Sequence, residues 1–561
     1  MINAVSPSAP SDAPAASPGA SGSGAPSGAS GAAVVSARGR SAVALPPVAL
    51  MLVVGLWGIT REGTLWGDEA VTYEMARRTV PEIWRTLGSV DAVHGLYYLL
   101  MHGLFAVFGP GLVPLRLPSV LGMCLTAGGV ALIGRRLAGP RAGLLAGLVV
   151  PLLPVVQRFA QEGRSYALVC GLVTWGTWLL LKRSWAAYAV VMLTACLLHE
   201  FAVLAVVAHG VTVRRGVPHA RPEPGPGGAD DPLTSGPGGD VRDARDARDP
   251  RASGPAVPAG PAVPSGARRV SGVPGPRARL ALSRRGTRGL PRGWLVAAGC
   301  VTAGLAPLAL FSTTQSSQVE WIGRPGVPEV VPFLLIALLG RACARTEGGS
   351  AVRAVALPLL VVPTALLMAV SFVHPLFVDR YVLPYVIGLA LLLGAVLDRY
   401  WSGLLAVATA AAALITLAVH GPHLRSPDSR KNDVGAVAAA VDEIARPGDG
   451  LLFTPARRRV WTLAHPEPFR RLGDVSLGRS PRSSGTLFGV EAPPPLIRAR
   501  MLAPGVTRLI VLQDLRDQPL DDVPAEEVKR EVLRESFTLC EERLVGQARI
   551  GIHVRTGTPC P

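Results

Sequence analysis

Two adjacent carboxylates, Asp68 and Glu69, stand just beyond a long apolar run, in the stretch LWGDEAVTYEMARR (65–78). A carboxylate at a membrane boundary pays a desolvation cost unless it is solvated or paired. The plainest reading is a wet loop whose acids cap the helix that follows. The surroundings suggest more. The same loop carries Asp91, His94 and His102 and ends in PLRLP (114–118). The next loop on that side holds QEGRSY (161–166), with Glu162, Arg164 and Tyr166, and a later one holds HPLFVDRYVLP (374–384), with Arg380 and Tyr381. Arginine offers a forked donor matched to phosphate, and a carboxylate can take a proton from a nucleophile. This mixture suits an enzyme that handles an anionic, lipid-linked substrate. Glu69, Asp91 and His94 also have the types of a divalent metal site; alternatively, His94 bonds a carboxylate and orders the loop. His199 reads as a polar residue lining a kink, and Tyr97 and Tyr98 as interface anchors.

The elements that must position these residues are membrane helices. The chain has 561 residues, 49% hydrophobic and 17% charged, whereas soluble domains run near a quarter charged. Its apolar residues are clumped into runs near the bilayer-spanning length of about 20. The expected fold is a polytopic α-helical membrane protein of about eleven spans, near 42–60, 118–134, 142–158, 166–181, 186–198, 200–213, 294–312, 329–345, 352–372, 381–397 and 402–420. The segment 97–108 is apolar but too short to span, and fits an interfacial or re-entrant helix within the outer loop 61–117. The net charge of +17 sits in short clusters between apolar runs and in one insert. That is the pattern of topology determinants, and it argues against nucleic acid. With Arg135, Arg136, Arg141, Lys182, Arg183, Arg214, Arg215, Arg341, Arg345, Arg353 and Arg399 inside, the positive-inside rule makes the N-terminus cytoplasmic. Loop 61–117 and the C-terminal part are then extracytoplasmic, on a bacterial plasma membrane.

Five regions follow. Residues 1–40 are almost all Ala, Ser, Gly and Pro and are expected to be disordered. Residues 41–213 form a transmembrane catalytic half. Residues 214–293 form a disordered insert whose 15 Arg against 7 acids suit anionic lipid. Residues 294–420 return to the membrane. Residues 421–561 form a soluble α/β domain, with helices at 433–445 and 525–535 and strands at 451–454, 507–512 and 549–554. Five of the seven Cys lie in or beside apolar runs; Cys540 and Cys560 can pair if their domain is extracytoplasmic.

In order, WGDE (66–69), DAVHGLYYLLMH (91–102), FG (108–109) with RLP (116–118), QEGRSY (161–166) and DRYVLP (379–384) resemble the family 39-type glycosyltransferases. These are relatives of the protein O-mannosyltransferases and the lipid A aminoarabinose transferase, within the GT-C superfold. The resemblance covers roughly 42–420, and KNDVGAV (431–437) with RPGDGLLF (446–453) resembles the C-terminal domain of bacterial members. It implies an inverting transferase that moves a mannose-like or pentose sugar from a polyprenyl-phosphate donor to an extracytoplasmic acceptor (protein, glycolipid or wall polymer). Asp68 matches the first-loop acid that acts at the acceptor, with Glu69 as its catalytic neighbour. Arg164, Tyr166, Arg380 and Tyr381 match elements suited to the donor phosphate. Asp91, His94 and Glu162 fall to substrate contact or loop ordering. Where the family often has His-Pro-Pro, this chain has His94, Gly95 and Leu96, a less constrained backbone.

Attack at an anomeric carbon develops oxocarbenium character, so arginine beside the leaving phosphate and a carboxylate beside the acceptor hydroxyl are the chemistry required. A lipid-linked sugar transporter or flippase is the alternative; it predicts charges buried mid-span and paired broken helices, and almost no acid lies inside a run here. A membrane protein that binds a wall polymer would leave the first loop unexplained.

Overall fold

The computed structural model describes residues 42–216 and 290–560, apart from 320, 347–349, 431 and 519. The tail 1–40 and nearly all of the insert 214–293 lie outside these residues. The helices run α1 Leu45–Leu56, α2 Gly67–Arg77, α3 Val80–Leu87, α4 Gly95–Phe108, α5 Leu112–Ala138, α6 Pro140–Leu152, α7 Pro154–Ala160, α8 Tyr166–Lys182, α9 Trp185–Leu198 and α10 Val203–Arg214. After the insert come α11 Arg292–Ser312, α12 Val327–Thr346, α13 Ser350–Ser371, α14 Tyr385–Arg399 and α15 Gly403–Arg425. Among the described residues, α5, α11, α12, α13 and α15 are long and apolar enough to cross a bilayer, and α6 with α7, bent by 65°, makes a sixth. A helix stands at every expected span. Those at α1, α8, α9, α10 and α14 have only 12, 17, 14, 12 and 15 residues, short of the length a bilayer asks for. The expected eleven are therefore met in position, and five or six of them in length. The 97–108 segment is helical, within α4.

Chain direction sorts the connections into two ends. Helices α5, α8, α10, α12 and α14 run away from the end bearing Asp68, and α6, α9, α11, α13 and α15 return to it. The basic clusters named above fall at the far end. Glycine lets the inner helices approach. A Cβ on Gly143 of α6 would stand 2.4 Å from the Ala131 carbonyl of α5, and one on Gly122 of α5 would stand 2.7 Å from the Ala167 carbonyl of α8. Without a hydrophobic force between helices in lipid, such backbone approach is what packs them. The faces of α12 and α15 instead expose Leu338, Leu404, Val407 and Leu414, as a lipid-facing surface would.

The C-terminal part contains α16 Val434–Ile444, α17 Pro494–Met501 and α18 Pro524–Ser536. Its strands are β1 Gly450–Thr454, β2 Gly473–Asp474, β3 Leu477–Arg479, β4 Val490–Glu491, β5 Arg508–Gln513, β6 Phe537–Val545 and β7 Ala548–Arg555. Five form one mixed sheet in the order β2-β1-β5-β7-β6, with β1 parallel to β2 and β5, and β7 antiparallel to β5 and β6; β3 and β4 pair separately. Asp433 caps α16 by accepting from the Gly435 and Ala436 amides at 2.9 and 3.2 Å, the usual way to satisfy orphan donors. Cys540 and Cys560 are joined in a disulfide.

This part grips the first loop. The Val434 amide donates to the Leu65 carbonyl at 2.8 Å, and Trp66 bridges Asp433. Arg482 reaches Glu74 at 3.0 Å, and Arg78 donates to the Thr486 carbonyl at 3.1 Å. Arg425, at the end of α15, donates to the Trp57 and Val54 carbonyls at 2.8 and 2.7 Å and covers the Trp57 ring.

Candidate active site

Asp68 and Glu69 occupy the first turn of α2. Consecutive side chains on a helix point about 100° apart, so they face different surroundings. Glu69 turns inward and is fully buried. Arg116, from PLRLP, donates Nε to Oε1 and Nη2 to Oε2, both at 2.8 Å. Arg61 donates to Oε2 at 3.0 Å, and the Gly163 amide to Oε1 at 2.9 Å. Burial raises the Glu69 carboxyl, and Arg116 and Arg61 outweigh it and hold it at about 2. A carboxylate with both oxygens occupied and so low a proton affinity is a poor base. The geometry places Glu69, expected beside Asp68 as catalytic, in a tie between the first loop and loop 161–165.

Asp68 faces the other way. Its side chain is 31% exposed and Oδ2 lies 3.6 Å from Arg380 Nη2. Arg380 is ringed by Trp66, Tyr166, Trp321 and Tyr381, with its guanidinium carbon 5.7–5.9 Å from each centroid, a distance at which a cation is attracted to an aromatic face. Its Nε is buried without a partner. Deeper in, Arg164 donates Nη1 to the Tyr98 hydroxyl at 3.1 Å and more weakly to the Thr72 hydroxyl at 3.4 Å, and its Nε has no partner. Tyr98 in turn donates to Asp91 Oδ2 at 2.6 Å. Asp91 has a left-handed backbone (φ 60°), steadied by Gln318 and Gln315, which accept from the Asp91 and Ala92 amides at 3.0 and 3.1 Å. Burial holds the Asp91 carboxyl above its ordinary value, against the pull of Arg164 and the Tyr98 bond.

The residues expected from three loops therefore share one neighbourhood. Tyr166 and Tyr381 lie 6.3 Å apart by ring centroid, with His199 between them at 5.3 and 4.7 Å and His94 5.9 Å beyond His199. Glu162 is separate. It is buried and faces Arg430 at 3.8 Å, and burial pushes its carboxyl up against that pull. It orders the junction with the C-terminal part. The expected trio for metal does not assemble: Glu69 is held by arginines, Asp91 by Tyr98, and no three described His, Cys, Asp or Glu side chains gather as a metal group.

Sequence reasoning missed several members. His199 was legible only as a kink residue, yet that kink sits on the site's side of the membrane. Trp321, Gln315 and Gln318 lie in a loop, TTQSSQVEWIGRPG (313–326), without an Arg–Tyr pair or a histidine to mark it, and Tyr98 bonds Arg164 and Asp91 rather than only anchoring the interface. A cavity of about 580 Å³ lies between α12, α13 and α14, lined by Phe333, Ile336, Leu360 and Phe377, by Arg324, Glu329 and Asp379, and by Trp321, which packs on Arg380.

No family model and no curated relative matches the chain. Two solved structures are similar to it: ArnT from Cupriavidus metallidurans in the apo state, and the same protein bound to undecaprenyl phosphate. The first is 14% identical with a TM-score of 0.48, covering 94% of this chain and 98% of that one. The second is 13% identical with a TM-score of 0.47, covering 92% and 99%.

Proposed function

We propose that the chain is an inverting glycosyltransferase that moves a sugar from a polyprenyl-phosphate donor to an acceptor hydroxyl at the extracytoplasmic face of the membrane. One observation carries this reading: an accessible carboxylate, Asp68, stands 3.6 Å from Arg380, whose neighbours Trp321 and Asp379 line a cavity between membrane helices. Arg380 and Arg164 each keep a buried, unpartnered Nε, donor capacity that a phosphate would satisfy.

In this reading the prenyl tail lies along the Phe333, Ile336 and Leu360 wall of that cavity and the phosphate meets Arg380. Asp68 takes the proton of the acceptor hydroxyl as its oxygen attacks the anomeric carbon. The bond from that carbon to the phosphate oxygen breaks, and the phosphate leaves with the electron pair. Arg380, placed before the charge develops, stabilises it. A single displacement inverts the anomeric centre. Tyr98 and Asp91 fix Arg164, which adds positive charge behind. The N-terminus is cytoplasmic and the C-terminal domain extracytoplasmic; the Cys540–Cys560 disulfide supports that side, since such bonds persist in oxidising compartments.

The test is transfer from purified polyprenyl-phosphate sugars, mannose and aminoarabinose among them, in liposomes with lipid and peptide acceptors, with and without chelator. Loss of Asp68 as base should lower the rate by about 10²- to 10⁴-fold. Unchanged transfer by Asp68→Asn would overturn the mechanism.

A further inference from the structure

The end of the bundle opposite Asp68 carries a second built pocket. Arg215 follows α10, Arg341 and Arg345 lie on the last turns of α12, and Ser350 and Arg353 open α13; together they line a cavity of about 450 Å³. Helix α12 has 20 residues, so at 1.5 Å per residue it sets this pocket about 30 Å from the Trp321 end. Among the described residues, no carboxylate pairs with any of the four arginines. Asp398, the acid at this end on α14, is taken by Arg141.

The pocket does not stand alone. A second cavity of about 360 Å³ shares Arg215, Arg341 and Leu357 with it and runs on between α10, α12 and α13, lined by Leu334, Leu338 and Val361. Polar lining is confined to the shared arginines. Four cations at the mouth and an apolar cleft leading from them match an amphiphile with an anionic head and a hydrocarbon chain. A soluble anion would use the arginines and leave the cleft idle.

We propose that this pocket holds an anionic glycerophospholipid of the leaflet at that end, which the positive-inside rule makes cytoplasmic, with its phosphate among Arg215, Arg341, Arg345 and Arg353 and an acyl chain along the α10–α12–α13 cleft. The site is distinct from the Asp68–Arg380 centre and sits where α10 leads into the basic insert.

Native mass spectrometry of the full-length protein tests it, with phosphatidylglycerol, phosphatidylcholine or inorganic phosphate added in turn. The wild type should retain phosphatidylglycerol over phosphatidylcholine. The triple variant R341Q/R345Q/R353Q should lose about 100-fold in phosphatidylglycerol affinity, at roughly 1 kcal/mol per arginine near an anionic surface. A K182Q/R399Q control, at the same end outside the pocket, should retain it. Matching melting temperatures show that the triple variant is folded. V361F, which narrows the cleft, should weaken lipid retention with all four arginines in place. Equal retention by the triple variant, equal retention of phosphatidylcholine by the wild type, or capture of inorganic phosphate without lipid would each overturn the proposal.

Discussion

Glu69→Gln separates the two adjacent carboxylates by what they do. Glu69 holds four donors: two nitrogens of Arg116 and one of Arg61 at 2.8–3.0 Å, and the Gly163 amide at 2.9 Å. Glutamine keeps one acceptor oxygen and turns an NH₂ toward a guanidinium. Two buried cations then lose their counter-charge, and breaking a buried pair this way costs about 3–5 kcal/mol. The proton affinity gives an independent figure. A carboxyl drawn from 4.5 to about 2 by folding contributes about 3 kcal/mol at neutral pH, at 1.36 kcal/mol per pH unit. Because the folded value is depressed, that stability is fully present above 4.5 and is lost as pH falls through about 2.

The assay is thermal unfolding of the purified protein in nanodiscs, wild type beside Glu69→Gln, from pH 7 down to pH 3. At neutral pH the variant should melt at least about 5 °C lower, from 2–4 °C per kcal/mol for a large domain. The gap should narrow as the pH falls below 4.5, because the wild type is losing what the variant already lacks. A variant that melts with the wild type at neutral pH and is inactive would refute the reasoning and return Glu69 to the chemistry. A gap that stays constant with pH would also refute it, because the cost would then come from packing rather than charge.

Other substitutions probe neighbouring links. Arg380→Lys keeps the charge but loses the planar fork among four rings; we expect kcat/KM for transfer to fall about 10- to 100-fold with the melting temperature unchanged, a loss of bidentate geometry. Tyr98→Phe removes the hydroxyl linking Arg164 to Asp91; activity should fall by about tenfold, from one charge-assisted bond of about 1.5 kcal/mol, as read in the same liposome assay. Arg482→Ala breaks a half-exposed contact with Glu74 and should cost under about 1 kcal/mol in denaturant unfolding. Cys540→Ser opens a disulfide that spans 20 residues and should destabilise the C-terminal domain by about 3 kcal/mol through loop entropy, measured by limited proteolysis of that domain.

Much of the membrane part was legible because apolar run length and basic punctuation follow directly from the bilayer, and a helix lies at each expected position. The number of true spans was not, because run length in sequence does not say where a helix ends. Leu153 and Pro154 break one run into α6 and α7, bent by 65°, and His199 divides α9 from α10. In the C-terminal part, α16, β1, β5, α18 and β7 match the apolar patterns. The strand β6 escaped because its sequence, FTLCEERLV, is rich in charge and only its Phe537 is buried, the composition of an edge strand protected against further pairing.

The site divides along a sharper line. Residue types told which loops converge, and Asp68, Arg164, Tyr166, Arg380 and Tyr381 do share one neighbourhood. They did not tell which of two adjacent acids faces the open side. That choice is made by partners remote in sequence: Arg116 comes 47 residues after Glu69, and the Gly163 amide 94 residues after. Once α2 begins at Gly67, a rotation of about 100° per residue sends one acid into the arginine clamp and leaves its neighbour beside Arg380. The clamp is therefore part of how Asp68 is placed. An extra residue at the start of α2 would rotate Asp68 toward Arg116, carry Glu69 a further 100° round and leave Gly67 facing Arg380. Inserting an alanine between Trp66 and Gly67 should thus cost stability and transfer together, whereas Asp68→Asn should cost transfer alone, and comparing both variants by melting and by transfer would show whether position or charge is what the loop supplies.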